Sequence, residues 1–289
     1  MATKYWLDQN GTWSDGSNWT AGSAPASDDV VYILKGSQNI LAGLSQGAVT
    51  GLDIYIGPEF MGSLGSPGSP LVLGNTDVLR VDAPSAKQLC FSFTGATLTQ
   101  CNVENTNNLP YGLALMAGTF TDTYVADCGQ IYLGGGTFSN TYFAPSLNGY
   151  LFAHPSTTLT NFIQSGGRVN SEKVVATLLE IQAGTFDWTG SSGGTMPLIT
   201  VQQGGKLIWR SPSSVITLLN VKGGEVDGSV DANPKTLTNA NVYRNGFLNL
   251  DNKLRNFTVS NNVKRYGGKI VGTNSITDYM IGGEGVVIP

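Results

Sequence analysis

The sequence predicts an all-β protein, and within that class a parallel β-helix whose turns each take about 20 residues. The first observation is composition: 38 of the 289 residues are glycine and only 12% are charged. Long solvent-exposed helices need runs of charged residues, which this chain lacks. The second observation is the alternation of apolar and other residues in short segments, which is typical of strands. The third is that these segments resume after pairs of glycines, as within residues 198–209.

Nine glycines mark the repeat from about residue 111 onward. The residue two positions after each of them is apolar, and the steps between the glycines run from 13 to 22 residues. We expect these glycines at corners, where positive φ is needed and a Cβ would clash, and the apolar residues stacked in the core. The glycines are Gly118, Gly136, Gly149, Gly167, Gly184, Gly205, Gly224, Gly246 and Gly268, followed by Phe120, Phe138, Leu151, Val169, Phe186, Leu207, Val226, Leu248 and Ile270.

The strands that enter these corners keep the same spacing. Leu179, Ile199 and Leu219 are 20 residues apart, and Ala240 follows after 21. One turn of a triangular parallel β-helix has about this length. Glycine pairs also suit hairpins, so an antiparallel β-sandwich or a propeller is the alternative. The variable steps show neither a super-period of about 40 residues nor a blade motif, which favours the β-helix.

Residues 1–35 form a distinct module, and residues 36–289 form the predicted β-helix. Trp6, Trp13 and Trp19 are separated by Asn-Gly and Asp-Gly turn signals. A solenoid needs a cap over the apolar end of its core, and three tryptophans could provide one. The alternatives are a small aromatic cluster without a special role and a stacking platform for sugars.

The module also carries a family resemblance. An aromatic-Trp pair, Gly-x-Trp, Asn-Trp and then Pro-x-x-x-Asp-Asp-Val-Val follow one another within residues 5–31. This order resembles the start of phage virion β-helix proteins of the capsid decoration, or cement, type. Its aromatic part also resembles the opening of passenger repeats in autotransporter adhesins. The virion resemblance implies a structural protein on the capsid surface, bound to the major capsid protein.

Two further segments are predicted to make contacts with other chains. Proline and glycine in residues 57–70 predict an exposed loop, and Phe60, Met61 and Leu64 within it could touch a neighbouring subunit or fold back onto the core. The chain ends on Val286, Val287 and Ile288, which predict an unprotected edge strand. Pairing with another chain, or a trimer axis, would cover that edge. We therefore expect a homotrimer.

No residue pattern indicates catalysis, a metal site or a cofactor. The single histidine, His154, lies beside a proline at a turn, and we expect a structural role. Glu225 and Asp227 lie two apart on one strand, while the position one turn from Asp187 falls on apolar Leu207. These acids therefore do not predict the carboxylate pair of a glycosidase. A hydrolytic site shared between two chains is the remaining enzymatic alternative.

Trp188 and Trp209 occupy equivalent positions on successive turns, four residues after their corner glycines. Alternation places them on the core side of the strand, like the residues at position two. The alternative is an outward aromatic ladder.

Charge and cysteine content restrict the partners. Residues 1–205 carry six basic and 14 acidic residues, while residues 206–289 carry ten basic and six acidic ones. The basic excess is small and dispersed, so we expect no nucleic-acid binding, and we expect no membrane insertion because no long apolar segment occurs. Cys90, Cys101 and Cys128 lack metal-site spacing and are predicted to be apolar core residues.

The sequence therefore predicts a non-enzymatic virion protein, made in the host cytoplasm, that stabilises a phage head by bridging capsid subunits. The first alternative is a phage tailspike or receptor-binding protein that recognises or cleaves host surface polysaccharide. The second is a bacterial surface adhesin, which would need an export route. The N-terminus lacks the apolar run of a signal peptide, which favours the virion hypothesis.

Overall fold

The computed structural model describes residues 1–146, 148–173, 175–190, 194–251, 257–272, 278–280 and 287–288. It is an all-β structure with parallel sheets that form a β-solenoid, as the sequence predicts. The chain divides into two compact units, Met1–Thr157 and Thr158–Pro289.

In unit 1 each turn of the chain adds one strand to each of two parallel sheets. Sheet A1 has the order β1-β2-β4-β7-β9-β11-β13. Sheet B1 has the order β3-β6-β8-β10-β12-β14, and β5 pairs with β8. The strands of sheet A1 are β1 Thr3–Tyr5, β2 Val30–Gly36, β4 Leu52–Phe60, β7 Thr76–Ala83, β9 Thr97–Thr106, β11 Thr119–Val125 and β13 Gly136–Phe143. Those of sheet B1 are β3 Ser45–Gln46, β5 Ser63–Leu64, β6 Leu71–Leu73, β8 Gln88–Ser92, β10 Leu113–Met116, β12 Gln130–Leu133 and β14 Tyr150–Ala153. Two short 3-10 turns, Gly16–Asn18 and Thr20–Gly22, precede β2.

Unit 2 repeats this plan. Sheet A2 has the order β15-β17-β19-β21-β23-β25-β27, and sheet B2 has β16-β18-β20-β22-β24-β26-β28. The strands of sheet A2 are β15 Thr157–Gln164, β17 Val175–Ile181, β19 Thr195–Gln202, β21 Ser214–Lys222, β23 Lys235–Tyr243, β25 Phe257–Tyr266 and β27 Asp278–Met280. Those of sheet B2 are β16 Arg168–Ser171, β18 Gly184–Trp188, β20 Gly205–Trp209, β22 Glu225–Asp227, β24 Phe247–Asn249, β26 Lys269–Val271 and β28 Val287–Ile288.

The long A strands bend because their alternation breaks once. In β11 the buried residues Phe120 and Thr123 are separated by two residues that are not buried, and β13 repeats this between Phe138 and Thr141. Each turn therefore combines one long A strand, whose alternation changes once along its length, with one short B strand. The triangular cross-section expected from the repeat length stays a prediction.

Most of the predicted core column is confirmed. Val169, Phe186, Leu207, Val226, Leu248 and Ile270 pair in register along sheet B2 and are all buried. Leu179, Ile199, Leu219 and Ala240 form a matching column in sheet A2.

The first two positions of the predicted column were assigned to the wrong side of the turn. Phe120 and Phe138 pair with each other in sheet A1, where their rings stack at 4.1 Å, and they are not in the B1 column that contains Leu151. The residues that continue the Leu151 column are Ile131 and, before it, Leu113 and Leu89. Both sheets use a glycine two residues before a buried apolar residue, so the pattern alone does not distinguish them.

The two glycines have separate roles at the corners Gly204-Gly205 and Gly223-Gly224. The first glycine of each pair has positive φ, 93° and 91°. The expected positive φ is wrong for Gly205 and Gly224, whose φ is ordinary, but the expected crowding is confirmed, because a Cβ would meet the backbone of Ile181 and Gln202. Glycine is therefore needed at the second position for space, while the first position needs a residue that adopts positive φ.

Candidate functional site

The three N-terminal tryptophans are core residues. Trp13 and Trp19 have no more than 1% of their surface exposed, and Trp6 has 5%. Trp19 packs edge-to-face against both other rings, and its indole nitrogen donates to the Trp13 carbonyl oxygen over 2.7 Å. The prediction that these residues form an interface is therefore wrong for their side chains. The same burial rules out a sugar-stacking platform, which needs open ring faces.

The module also covers the outer edge of the first strand of sheet A1. The Tyr5 amide donates to Thr20 Oγ1, the Leu7 amide donates to the Asn18 carbonyl, and Trp6 forms an antiparallel bridge with Trp19. The Asn18 side chain accepts from the amides of residues 9 and 10 and donates to the Thr12 carbonyl, which holds the turns together. These contacts are those expected of a cap, because they occupy an otherwise unpaired edge. The module is continuous with sheet A1, since the predicted boundary after residue 35 falls inside β2.

Residues 57–70 are more ordered than predicted. β4 continues through Phe60, and Leu64 belongs to β5; both side chains are fully buried. They fold back onto the core, so their assignment to an interface is wrong. Met61 is 52% exposed and keeps its place as a candidate contact.

For the C-terminal contact candidates, the structure describes the backbone pairing of Val287 and Ile288. Val287 pairs with Ile270 of β26 and Ile288 pairs with Val271, both in parallel, and β28 is the last strand of sheet B2. Val286 lies outside the described residues. The predicted contact through this edge stays a prediction.

The outer face of sheet A1 carries a feature that the sequence analysis missed. Tyr5, Tyr32 and Tyr55 are in register on neighbouring strands, and their rings stack at 5.0 and 4.9 Å with small interplanar angles. Arg80 and Asn102 continue the same column, and Tyr124 and Tyr142 complete it with rings stacked at 4.9 Å. We call these five tyrosines the tyrosine ladder. The alternating pattern of the strands could have indicated these outward positions, because Tyr32 and Tyr55 each lie between two buried residues.

The ladder presents ring edges and hydroxyl groups to solvent, because stacking covers the ring faces. Tyr5, Tyr124 and Tyr142 are 43%, 42% and 38% exposed. Burial raises the pKa of the Tyr55 hydroxyl, and the negative charge of Asp53 adds to that shift. The phenol therefore remains a neutral hydrogen-bond donor around pH 7.

A second column runs beside the ladder, two residues earlier on each strand, and five of its seven members are polar. The polar members are Thr3, Asp53, Gln100, Asp122 and Asn140, and the other two are Val30 and Val78. The Asn140 amide donates to Asp122 over 2.9 Å. Burial raises the pKa of Asp53, and nearby Asp77 raises it further. The face thus combines aromatic edges with side chains that accept and donate hydrogen bonds.

An aromatic cleft of about 220 Å³ lies on the outer face of sheet B1. Tyr132 and Phe152 stack at 5.6 Å on β12 and β14, and the Tyr111 ring meets Tyr132 edge-to-face at 4.8 Å. We call this feature the aromatic cleft; its lining residues are Pro110, Tyr111, Gln130, Ile131, Tyr132, Tyr150 and Phe152. His154 is 6.2 Å from Tyr132, and its Nδ1 lies 2.7 Å from Ser156 Oγ.

The acids considered for hydrolysis are engaged in ion pairs and turns. The side chain of Asp187 is only 4% exposed and pairs with Arg210 at 3.0 Å and Arg168 at 3.4 Å. Glu225 pairs with Lys206 at 2.7 Å, and Asp227 accepts from Ser229.

The predicted partner position for Asp187 is corrected by one residue. It is Ile208, which is also apolar, instead of Leu207. Asp227 comes one strand further on, opposite Ile208.

Trp188 and Trp209 belong to the core, as predicted. Both are buried and their rings stack at 6.0 Å, with the Trp209 indole nitrogen donating to Ser214 Oγ.

Cys90, Cys101 and Cys128 are also buried, and burial raises the pKa of each thiol to about 12. These thiols are therefore unreactive in the folded protein.

Within the described ranges, no group of three or more His, Cys, Asp or Glu side chains is arranged to hold a metal ion. No helix in that part of the chain is long and apolar enough to cross a membrane. Comparisons with protein-family models, curated proteins and solved structures found no match to this chain.

Proposed function

We propose that this protein is a non-enzymatic structural component of a phage particle, a capsid decoration or cement protein that bridges subunits of the major capsid protein. The tyrosine ladder carries the proposal. Its five tyrosines lie on five of seven neighbouring strands, which span about 29 Å at the usual strand spacing, and Arg80 and Asn102 occupy the two strands between them. Tyrosine is enriched in protein interfaces because it combines a large apolar area with a polar end.

The ladder is preorganised for binding a protein surface. Its strands between β1 and β13 are paired on both sides, so few backbone or side-chain rotations are lost on association. Because the ring faces already cover one another, the ladder offers edges and hydrogen bonds, which suit a complementary protein face. Contacts that are weak singly become strong when many copies bind one shell.

We further propose that the protein acts as a homotrimer at the capsid surface and is made in the host cytoplasm. A reducing cytoplasm suits three buried cysteines that form no disulfide. Symmetric association would align three ladders around one axis. Native mass spectrometry of the purified protein tests this point, and a stable monomer at micromolar concentration would contradict it.

Capsid binding is tested by co-sedimentation with undecorated particles of the phage that encodes the chain. The wild-type protein should sediment with the capsids and raise their melting temperature. The double variant Tyr124→Ser, Tyr142→Ser removes two exposed rings of the ladder and should lose most of this binding. Leu109→Ser, at a side chain that is 53% exposed and outside the ladder, is the matched control and should bind normally.

Two results would refute the proposal. One is that wild-type protein does not sediment with the particles, and the other is that the ladder variant binds as well as the control. Copy number in purified particles separates the main alternative: hundreds of copies indicate decoration, and about a dozen indicate a tailspike or receptor-binding protein.

A further inference from the structure

The aromatic cleft belongs to unit 1 and shares no residue with the tyrosine ladder. On the outer face of sheet B1, Cys90 and Ala114 share the column of Tyr132 and Phe152, yet both are completely buried. Neither residue lines the cleft, which lies beside the aromatic pair on β12 and β14. The segment that ends at Tyr111 forms one wall of the cleft.

That wall is held by specific hydrogen bonds. Asn107 donates its side-chain amide to the carbonyls of Ala86 and Lys87, and its side-chain oxygen accepts from the Leu109 amide. The Gly112 amide donates to the Leu109 carbonyl. The Gln130 amide, at the start of β12, donates to the Asn107 carbonyl over 3.0 Å, so the wall has a defined position relative to β12.

Tyr111 sits in this wall with φ of 58°, a left-handed conformation that is unfavourable for an aromatic residue. Such strain persists where the surrounding structure enforces it, and it is concentrated at binding sites. Here it places the Tyr111 ring edge-to-face against Tyr132, with 38% of the residue still exposed.

The lining defines the chemistry of the ligand. None of the seven lining residues is charged, so nothing in the cleft compensates the charge of a phosphate, a carboxylate or a cation. The tyrosine and phenylalanine rings favour a flat apolar group. Gln130 and the phenol groups supply donors and acceptors at the same site. A neutral ring with hydroxyl groups around an apolar C–H face satisfies both requirements.

The size of the cleft limits the ligand to about one ring. Its volume of about 220 Å³ is below the range of roughly 300–1,000 Å³ usual for drug-sized ligands. A single sugar unit fits, with the rest of a saccharide chain lying outside along the surface.

We propose that the aromatic cleft binds one neutral hexose unit of a polysaccharide, with the apolar sugar face against the partly exposed Tyr111 ring and the sugar hydroxyl groups hydrogen-bonded to Gln130. This site would let the protein hold a neutral glycan without cleaving it. The proposal does not depend on capsid binding, which uses a different face of unit 1.

The test uses the full-length protein and a panel of neutral glucose, galactose and mannose hexasaccharides, with calorimetry and saturation-transfer NMR as readouts. At least one probe should bind saturably, with affinity that is the same at low and high salt. Gln130→Ala and Phe152→Ala should each weaken binding by about tenfold or more, as expected for loss of one good contact.

Tyr111→Gly is the most informative variant, because glycine accepts the positive φ. It removes the ring without adding backbone strain, so it should fold normally and still lose binding. Tyr124→Ala removes an exposed ring of the ladder and is the matched control, with unchanged affinity expected.

Three outcomes would overturn the proposal. The first is that no neutral hexasaccharide binds at millimolar concentration. The second is that binding survives in Tyr111→Gly and Gln130→Ala. The third is that the cleft variants bind saccharides normally but fail to sediment with capsids, which would assign the cleft to a protein side chain.

Discussion

Replacing the two glycines of one corner separately should have different effects on stability. Gly204 has φ of 93°, and a Cβ built there meets nothing closer than 3.8 Å. Gly204→Ala therefore costs only backbone strain, about 1–2 kcal/mol. Gly204→Asn should cost less, because asparagine already occupies the same corner position two turns later, at Asn245 with φ of 65°.

Gly205→Ala should be the most destabilising of the three. Its φ is ordinary, but the added Cβ would lie 2.9 Å from Ile181 Cγ2 and closer still to the Ile181 carbonyl oxygen, which is paired backbone. Relief requires the two turns to move apart, so we expect about 2–3 kcal/mol. Urea unfolding followed by circular dichroism measures all three variants. Two results would refute this reasoning. One is that Gly205→Ala lowers the unfolding free energy less than Gly204→Ala does. The other is that all three variants lower it equally.

Three other changes test the cap, the buried acid and the thiols. Trp19→Phe leaves a buried carbonyl without its donor and should lower the unfolding free energy by about 1–3 kcal/mol in thermal melts, with aggregation if the cap opens. Arg210→Ala should lower the unfolding free energy by about 1–2 kcal/mol, between the values for exposed and buried ion pairs. Arg168→Ala should lower it less, because the contact of Arg168 with Asp187 is longer. Equal losses in the two variants would contradict this order. Burial raises the pKa of Cys101 from 9.0 to about 12, so its contribution to stability is complete below pH 9 and is lost as the pH rises towards 12. Denaturation midpoints measured between pH 9 and pH 12 check this loss of stability. At pH 8 the native thiols should resist alkylating reagents, and rapid labelling of the folded protein would contradict the raised pKa.

The columns of unit 2 could be derived from sequence because their steps are nearly constant. From Gly167 onward every turn takes 17 to 22 residues, so equivalent positions coincide when the glycines are aligned. In unit 1 the same alignment failed at Gly118 and Gly136. A strand of sheet A1 also begins with a glycine followed, two residues later, by a core phenylalanine.

Side-chain direction decided which predicted contact residues are available. Trp13, Trp19, Phe60 and Leu64 are large and apolar in segments rich in glycine, and their composition alone allowed either an interface or a core position. The structure buries all four. Met61, next to Phe60, points the other way because successive side chains of an extended chain alternate.

The sequence by itself determined the architecture. Alternating apolar residues and regularly spaced glycines favour a coiled parallel fold, because each turn must pack the same apolar face against the preceding turn. Only the tertiary structure decided the surfaces. The tyrosine ladder and the aromatic cleft each join residues about 20 or more positions apart on neighbouring turns. Their assembly depends on the exact register between strands, and a local bulge or a turn of variable length shifts that register without leaving a mark in the periodic pattern.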